Sequence, residues 1–355
     1  MGAVVYFVLA IYLNQVMPSI YGVPKHPLFC LKRCLRATNA SVYKAVFSSE
    51  ECDGSDPSET SDLKGEDDDS KQERKDVHAI DKEEYAKYPL VAKDIRKVYP
   101  GVNGRKPKVA NKNLSLRIHK GELFGLLGPN GAGKTTFISQ LTGMYRPTSG
   151  NAWISGYDIR ENLELVQLQI GVCPQFDILW DDLSVAEHLL FYARLKGVPP
   201  EKEEAMISKA IREVQLDKER DMLTKKLPLG MKRRLSIAIS LVANPKIVFL
   251  DEPTTGLDPE TRRQLWNILQ DCKNDKSRAI VLTTHSMEEA DVLCNRIGIV
   301  SDGVLKCIGS QYRLKSLYGG GYHLFVNCQK AKFLKQLQDK RARALQRRSN
   351  NHHVV

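Results

Sequence analysis

The stretch Gly128-Pro129-Asn130-Gly131-Ala132-Gly133-Lys134-Thr135 decides the fold of this chain. It fits the phosphate-loop pattern of a glycine, four free positions, and then Gly-Lys-Ser/Thr. The glycines let the backbone turn so that its N–H groups point at phosphate oxygens, and the helix that starts there presents its positive end to the same charge. In this pattern Lys134 reaches the β- and γ-phosphates, and the Thr135 hydroxyl binds Mg²⁺. The stretch therefore predicts a nucleotide-binding site.

The sequence on both sides of the loop supports this interpretation. An apolar run precedes it at residues 123–127, and a helical pattern follows it at residues 137–141. This order of strand, loop and helix is the context that the motif requires. An ordinary glycine turn would not need either neighbour.

A second signal lies further along the chain, where the apolar stretch 247–250 runs directly into Asp251 and Glu252. A buried strand would deliver Asp251 to the edge of the sheet beside the phosphates, where it can hold Mg²⁺ through water. Glu252 would then lie where it can polarise an attacking water as a general base. A strand that merely ends in solvated acids would not predict the sequence Pro-Thr-Thr-Gly-Leu-Asp that follows at 253–258.

Apolar patterns of the strand and helix types alternate along the rest of this region. Strands are predicted at 114–118, 153–154, 247–250 and 280–283, and helical patterns at 185–227, 235–242 and 262–269. Strands that alternate with helices favour a mostly parallel sheet covered on both faces. The helical stretch between Gln175 and Leu227 is predicted to form a lobe of its own.

Taken together, the motifs resemble the nucleotide-binding domain of an ABC transporter, and most of all subfamily A, the lipid-moving branch. The resemblance runs from about residue 91 to residue 328. It is carried by the phosphate loop, Val172-Cys173-Pro174-Gln175, Leu229-Gly230-Met231-Lys232-Arg233-Arg234-Leu235-Ser236, Asp251-Glu252, Asp258 and Thr284-His285-Ser286. It implies an α/β fold: a RecA-like P-loop NTPase core with a mostly parallel sheet, an antiparallel β subdomain and an inserted α-helical subdomain at about residues 184–243.

The resemblance also implies roles for single residues in binding ATP. Tyr99 would stack on adenine, and the phosphates would lie against Gly128, Pro129, Asn130, Gly131, Ala132, Gly133, Lys134, Thr135 and Thr136. The implied Mg²⁺ ligands are Thr135, Gln175 and Asp251.

The implied catalytic group is Glu252 with His285 and Gln175. His285 would hold the γ-phosphate and orient Glu252, and Gln175 would report the nucleotide state to the membrane part. Gly230, Met231 and Asp258 would lie at the seam of a dimer. Lys232, Arg233 and Arg234 are expected to be solvated or helix-facing charges rather than phosphate ligands.

One motif departs from the family pattern at two positions. The signature loop normally reads Ser-Gly-Gly before Met or Gln, and here it reads Pro228-Leu229-Gly230. In the family this loop caps the γ-phosphate bound to the opposing domain, but Pro228 has neither a hydroxyl nor an N–H group. Each lost hydrogen bond to a charged group costs about 1.5–3 kcal/mol. We therefore expect good ATP binding, with hydrolysis that depends on whose signature loop faces the site.

The sequence outside the domain is of three kinds. Residues 1–13 are apolar and uncharged, but shorter than the roughly 20 residues that a membrane span needs. They fit either the end of a truncated transmembrane helix or a segment packed against a partner. We favour the helix, because residues 6–21 resemble the last membrane helix of the family and its exit, and Tyr12 suits a membrane interface. On this interpretation the chain is a fragment or truncated product of a larger transporter.

Residues 22–89 read as a loop followed by an acidic linker, predicted to be disordered over 48–84. The domain then occupies 90–328, and 329–355 form a basic tail. The net charge of +11 is concentrated in this tail, which fits a solvated segment or attraction to anionic lipid. No nucleic-acid recognition motif accompanies the charge. The eight cysteines lack the spacing of metal sites or of a disulfide framework.

Three functions are compatible with the sequence. The first is the ATP-hydrolysing domain of a membrane lipid transporter, with Mg²⁺, the transmembrane domains and a second nucleotide-binding domain as partners, on the cytoplasmic side of a membrane. The second is an ATP-binding regulatory or scaffold module whose hydrolysis is impaired by the altered signature loop. The third, a soluble ABC protein acting on ribosomes or DNA, ranks last, because such proteins carry two nucleotide domains or long coiled coils.

Overall fold

The computed structural model describes residues 65–99, 107–273 and 278–319 of the 355-residue chain. The strands are β1 Leu90–Tyr99, β2 Lys108–Ile118, β3 Leu123–Leu127, β4 Ser149–Ile154, β5 Tyr157–Asp158, β6 Ile170–Cys173, β7 Ile247–Asp251, β8 Ala279–Thr284, β9 Arg296–Ser301 and β10 Val304–Ser310. The helices are α1 Asp68–Ala79, α2 Lys134–Leu141, α3 Leu163–Gln169, α4 Val185–Leu195, α5 Pro200–Glu213, α6 Leu229–Leu241, α7 Pro259–Lys273, α8 Met287–Leu293 and α9 Gln311–Tyr318. Short 3₁₀ turns lie at Lys82–Lys87, Asp217–Glu219 and Thr224–Lys226.

The larger sheet has six strands in the order β10-β9-β3-β8-β7-β6. All its pairs are parallel except β9 with β10. Every residue of β3, β7 and β8 is buried, as expected of parallel strands that are covered on both faces. This arrangement confirms the predicted mostly parallel sheet. It brings the carboxyl ends of β3, β8 and β7 to one edge, the place where ligands bind in open α/β sheets.

A smaller antiparallel sheet, in the order β2-β1-β4-β5, lies beside the larger one. Leu90 and Ile95 from β1 belong to the same buried cluster as Phe124 from β3 and Phe137 from α2. The antiparallel sheet is thus packed onto the strand and helix that flank the phosphate loop, and Tyr99 lies at the end of β1.

The helical pattern at 185–227 is divided into α4 and α5. The break falls at Gly197, which has a φ of +73°, and Pro200 begins α5, since proline at the first helical position loses no hydrogen bond. Apolar residues of this lobe, such as Leu189, belong to one buried cluster with Val248 of β7. The lobe is therefore anchored on the parallel sheet. The helix expected at 235–242 begins earlier, at Leu229, so Gly230 and Met231 lie in its first turn.

Helix α1 corrects the expectation of a disordered linker over 48–84. Asp67 caps the helix through its side chain, and Val77 is buried with Tyr85 and Val91. Glu73, only 6% exposed, accepts a hydrogen bond from the backbone N–H of Arg117 at 3.1 Å and one from Nη1 of Arg296 at 3.1 Å. The acidic composition that suggested disorder is balanced by arginines far along the chain, and the folded domain begins before residue 90.

Several expectations concern residues outside the described ranges, including the apolar start at 1–21, the linker up to residue 64 and the basic tail. No described helix is long and apolar enough to cross a membrane. The cysteines that the structure describes, at positions 173, 272, 294 and 307, are buried. The described residues up to Leu314 belong to one compact unit, and Lys315 begins a second.

Candidate functional site

The loop between β3 and α2 requires glycine at two positions for steric reasons. A Cβ on Gly128 would lie 2.2 Å from the carbonyl oxygen of Val300, and one on Gly133 would lie 2.4 Å from that of Ala110. Gly133, which caps α2, has a φ of +102°, a conformation that favours glycine. The loop thus curls tightly around the start of α2, and that helix end favours an anion.

Lys134, the first residue of α2, is buried, and its charge is paired with a carboxylate. Lys134 is 4% exposed, and its Nζ donates to the carbonyl oxygens of Gly128 and Pro129 at 2.7 and 3.2 Å. The same Nζ lies 3.3 Å from Oε1 of Glu252. Because an unpaired buried charge is costly, the lysine and the glutamate stabilise each other's burial.

The Glu252 carboxylate contacts side chains from several of the sequence motifs. Its Oε2 accepts hydrogen bonds from Nε2 of Gln175 at 3.4 Å and from Oγ1 of Thr255 at 3.2 Å. Nδ1 of His285 lies 3.4 Å from the same oxygen. The backbone N–H of Glu252 donates to Oγ1 of Thr283 at 3.0 Å. These contacts hold Glu252 at a φ of +45°, a conformation that costs a non-glycine residue about 1–3 kcal/mol and is concentrated at functional sites.

Asp251, the last residue of β7, is 5% exposed. Its Oδ1 accepts a hydrogen bond of 2.5 Å from Oγ1 of Thr283 on the neighbouring β8. The strand end therefore fixes the orientation of this carboxylate beside Glu252.

Lys134, Gln175 and Glu252 border a polar cavity of about 420 Å³, within the usual size range for small-molecule sites. It is lined by Tyr99, Lys108, Ala110, Asn130, Gly131, Gly133, Lys134, Thr135, Thr136, Gln175 and Glu252. Most of the predicted nucleotide-contacting residues are thus brought together. Gly128, Pro129, Ala132, Asp251 and His285 do not line this cavity. Lys108 and Ala110, on β2, belong to no motif, so the sequence did not point to them.

Arg233 corrects the expectation of a solvated or helix-facing charge. It is 4% exposed, and its guanidinium donates to the carbonyl oxygens of Pro174, Asp251, Glu252 and Pro253 at 2.7–3.2 Å. It also donates to Oδ1 of Asp177 at 2.9 Å. One side chain of α6 thereby ties the segment around Gln175 to the segment that carries the acid pair.

Gly230 and Met231 lie in the first turn of α6 and Asp258 lies directly before α7, all outside the cavity lining. A Cβ on Gly230 would lie 2.5 Å from Cγ2 of Thr261. The backbone N–H of Thr261 donates to Oδ2 of Asp258 at 3.0 Å, and this bond lowers the pKa of Asp258. The predicted interface residues are therefore neighbours, and their place at a dimer seam stays a prediction.

Comparison with known proteins agrees with this geometry. The profile of the family described as "ABC transporter" matches residues 111–255. ABC transporter A family member 9 of Dictyostelium discoideum is 44% identical over 345 residues, which cover 92% of this chain and 40% of that protein. ABC transporter A family member 12 of Arabidopsis thaliana is 42% identical over 317 residues, which cover 89% of this chain and 33% of that protein.

Solved structures resemble the fold. An ATP binding subunit of an ABC transporter superimposes with a TM-score of 0.57 at 26% identity, covering 65% of this chain and 95% of its own. A dimeric ATP-binding cassette in a post-hydrolysis state, bound to ADP and Pi, superimposes with a TM-score of 0.56 at 24% identity, covering 62% and 98%.

The chain spans 40% or less of the length of these curated relatives, so it corresponds to one part of such a protein. That part carries the phosphate loop, the acid pair and the P-loop NTPase fold. The chain belongs to the ABC transporters of the A family, and its folded region is a nucleotide-binding domain of that family.

Proposed function

We propose that this domain binds ATP with Mg²⁺ and hydrolyses it, and that hydrolysis drives transport across a membrane by a protein that also contains transmembrane domains. The observation that carries the proposal is the convergence on Glu252. Lys134, Gln175 and His285 each have a side-chain nitrogen within 3.4 Å of its carboxylate. These groups come from three separate motifs and meet at the rim of the phosphate loop.

The residues present fit Mg²⁺-ATP. Gly131 and Gly133 line the cavity without side chains, and Thr135 lies exposed there. Across the described ranges, no cluster of His, Cys, Asp and Glu forms a ready-made metal cage. Mg²⁺ in phosphoryl-transfer sites is held by one or two protein side chains together with substrate phosphates and water. Thr135, Gln175 and Asp251 would hold it here, and the ion would neutralise charge on the transferring phosphoryl group.

The contacts of Glu252 suggest how its base function is controlled. Nζ of Lys134 pairs with the carboxylate of Glu252. Phosphate oxygens would take Lys134 as their own partner, and the released carboxylate would accept a proton from the attacking water. Gln175 and His285 would keep Oε2 in position during this exchange, because both already contact it.

The surroundings of the Tyr99 ring favour stacking of the nucleotide base on this side chain. Its ring packs edge-on against Tyr145 at a centroid distance of 6.1 Å, and Nζ of Lys97 lies 5.6 Å from its centroid. The ring is therefore held at the cavity that it lines, where its face can stack on adenine.

An exposed apolar surface supports a transmembrane partner. Phe176, Ile178 and Trp180 follow Gln175 directly and are 78%, 67% and 45% exposed. Phe191 of α4 lies 5.0 Å from the Trp180 ring. Contiguous exposed apolar side chains mark interaction sites, and this patch adjoins the residue that contacts Glu252. Transmembrane domains docked there would place this domain at the cytoplasmic face of the membrane. A second nucleotide-binding domain as partner and lipid as cargo rest on the resemblance to subfamily A.

Replacing Lys134 with alanine is expected to weaken ATP binding by about 10- to 150-fold, because each charge-assisted hydrogen bond to phosphate contributes about 1.5–3 kcal/mol. Equilibrium titration with a fluorescent ATP analogue in Mg²⁺ measures the change. Lys112→Ala is the matched control, since this lysine lies on β2 outside the cavity lining. Unchanged affinity in Lys134→Ala would remove the lysine from the phosphate site.

A second candidate function, an ATP-binding regulatory module with impaired hydrolysis, is favoured by the signature loop. Pro228 stands at the N-cap of α6 without a side-chain hydrogen bond, and Leu229 is 58% exposed. The positions that should donate to an opposing γ-phosphate are thus a residue without a donor and a protruding apolar side chain.

Restoring the loop with Pro228→Ser and Leu229→Gly tests this candidate. If two copies of this chain face each other, phosphate release should rise at least tenfold, because two hydrogen bonds of about 1.5–3 kcal/mol each are regained. Turnover is measured over a range of protein concentrations, with Leu229→Gly alone as the control. Rapid wild-type turnover that the double substitution leaves unchanged would contradict an impaired site.

A further inference from the structure

Two fully buried amide side chains lie behind the phosphate loop, in a region where the neighbouring side chains are apolar. Asn111 of β2 and Gln140 of α2 are both 0% exposed. Phe137 and Leu141, on either side of Gln140 along α2, belong to the apolar cluster beneath the loop. Burying an amide in such surroundings costs free energy unless its polar atoms find partners.

The two amides form a short chain of hydrogen bonds that ends on the loop. Nε2 of Gln140 donates to Oδ1 of Asn111 at 2.8 Å and to the carbonyl oxygen of Thr136 at 3.3 Å. Nδ2 of Asn111 donates to the carbonyl oxygen of Gly133 at 3.1 Å. Gln140 therefore fixes Asn111, and Asn111 holds the last glycine before Lys134.

The hydrogen bonding of this buried pair is incomplete. Within the described part of the chain, Oε1 of Gln140 is buried without a hydrogen-bond partner. Replacing both members of a buried polar pair with apolar groups of similar shape is often neutral or stabilising. An apolar pair would lack the bonds to the Gly133 and Thr136 carbonyl oxygens, and of these the bond to Gly133 lies directly before Lys134.

The hydrogen bond from Asn111 to the Gly133 carbonyl sets the direction of the Lys134 backbone N–H. The Gly133 carbonyl also accepts the first helical bond, from the backbone N–H of Phe137 at 2.9 Å, so two donors fix the plane of its peptide group. In a planar trans peptide the C=O and the following N–H point in opposite directions. Drawing the Gly133 carbonyl into the core therefore aims the backbone N–H of Lys134 toward the cavity that both residues line.

We propose that Asn111, held by Gln140, is a positioning residue that aims the Lys134 backbone N–H at the phosphate groups of the nucleotide and so raises the affinity for it. This inference rests on the proposed function for its ligand. The geometry of the loop is independent of that function, and it can be measured without nucleotide.

The test is the double variant Asn111→Leu with Gln140→Met, whose side chains keep nearly the same volume. We expect its urea midpoint to equal or exceed that of the wild type, whereas ATP affinity falls about five- to tenfold, the size of one oriented hydrogen bond. At saturating ATP the turnover should stay near wild type and KM should rise, because an interaction present in both ground and transition states is lost. Ser115→Ala is the matched control: Ser115 is a buried residue of β2 that bonds to Asp94, so its loss should leave affinity unchanged.

Hydrogen exchange in the nucleotide-free protein separates this inference from the proposed function. Amides of residues 131–136 should exchange about tenfold faster in the double variant than in the wild type. A variant with wild-type exchange and ATP affinity within twofold of wild type would overturn the role of Asn111. If the wild type does not bind ATP but exchange is still faster in the variant, ATP is not the ligand. The role of Asn111 in positioning the loop would then stand.

If the double variant does not fold, Gln140→Met alone decides the matter. It retains the Asn111 donor but frees the asparagine side chain to rotate. We expect exchange in 131–136 to be about threefold faster and affinity to be about threefold weaker, and no change in either would overturn the proposal.

Discussion

Replacement of Glu252 by glutamine is expected to lower ATP turnover by about 10²- to 10⁴-fold, the usual contribution of a general base, while ATP still binds. The amide has nearly the shape of the carboxylate, so it can keep the hydrogen bond from Thr255. It has no negative charge with which to take a proton from water. It also loses its ion pair with Lys134, which leaves the lysine free for phosphate.

Phosphate release at saturating ATP, together with ATP affinity from titration, measures this prediction. Glu260→Gln is the control, because Glu260 is an exposed acid in the first turn of α7 and should leave both quantities unchanged. Wild-type turnover in Glu252→Gln would assign the proton to another group. Loss of binding together with turnover would assign Glu252 to nucleotide binding instead.

Replacement of Arg233 by methionine is expected to cost about 3–5 kcal/mol of stability, the penalty for breaking a buried charge pair. Five hydrogen-bond acceptors would lose the bond from this guanidinium, although Oδ1 of Asp177 keeps its bond from Ser236. Asp177 would keep a carboxylate that is 14% exposed without its cation. Methionine fills part of the volume but donates no hydrogen bond.

Urea unfolding of the wild type and of the variant measures the difference in the free energy of unfolding. Arg234→Met is a close control, since Arg234 bonds at an exposed position to Gln264 and its loss should change the free energy by less than about 0.5 kcal/mol. Arg233→Lys should recover little, because one ammonium cannot reproduce the guanidinium fork. Equal stability of Arg233→Met and Arg234→Met would mean that the five bonds contribute nothing.

The candidate site was largely predictable from the sequence because its chemistry ties residue types to spacing. A phosphate cradle needs glycines at fixed intervals before Lys134, and a metal-binding carboxylate at a sheet edge needs an apolar strand before it. Arg233 has no such local signature. Its partners lie 18–59 residues away along the chain, and an arginine between Lys232 and Arg234 has the pattern of a charged surface.

The elements of the fold likewise divide into those with a local sequence signature and those without one. Strands β3, β7 and β8 were predictable because buried parallel strands must be apolar throughout. Helix α1 was not, since composition alone places an acidic stretch among disordered segments. Glu73 is paired with Arg117 and Arg296 only after β2 and β9 have come together in three dimensions. The mistaken linker and the mistaken arginine are thus the same kind of error, in which a charge has its partner far along the chain.

Helix α1 has a practical consequence for recombinant work. A truncated protein that starts at Leu90, or at the family match from residue 111, would lack Glu73 while it kept Arg296, whose side chain is 18% exposed. In the version from Leu90, Val91 would lose its cover from Val77 and Tyr85. Such a product would expose these groups to solvent and would be prone to aggregate. A product that begins before Gly65 would keep them covered by α1.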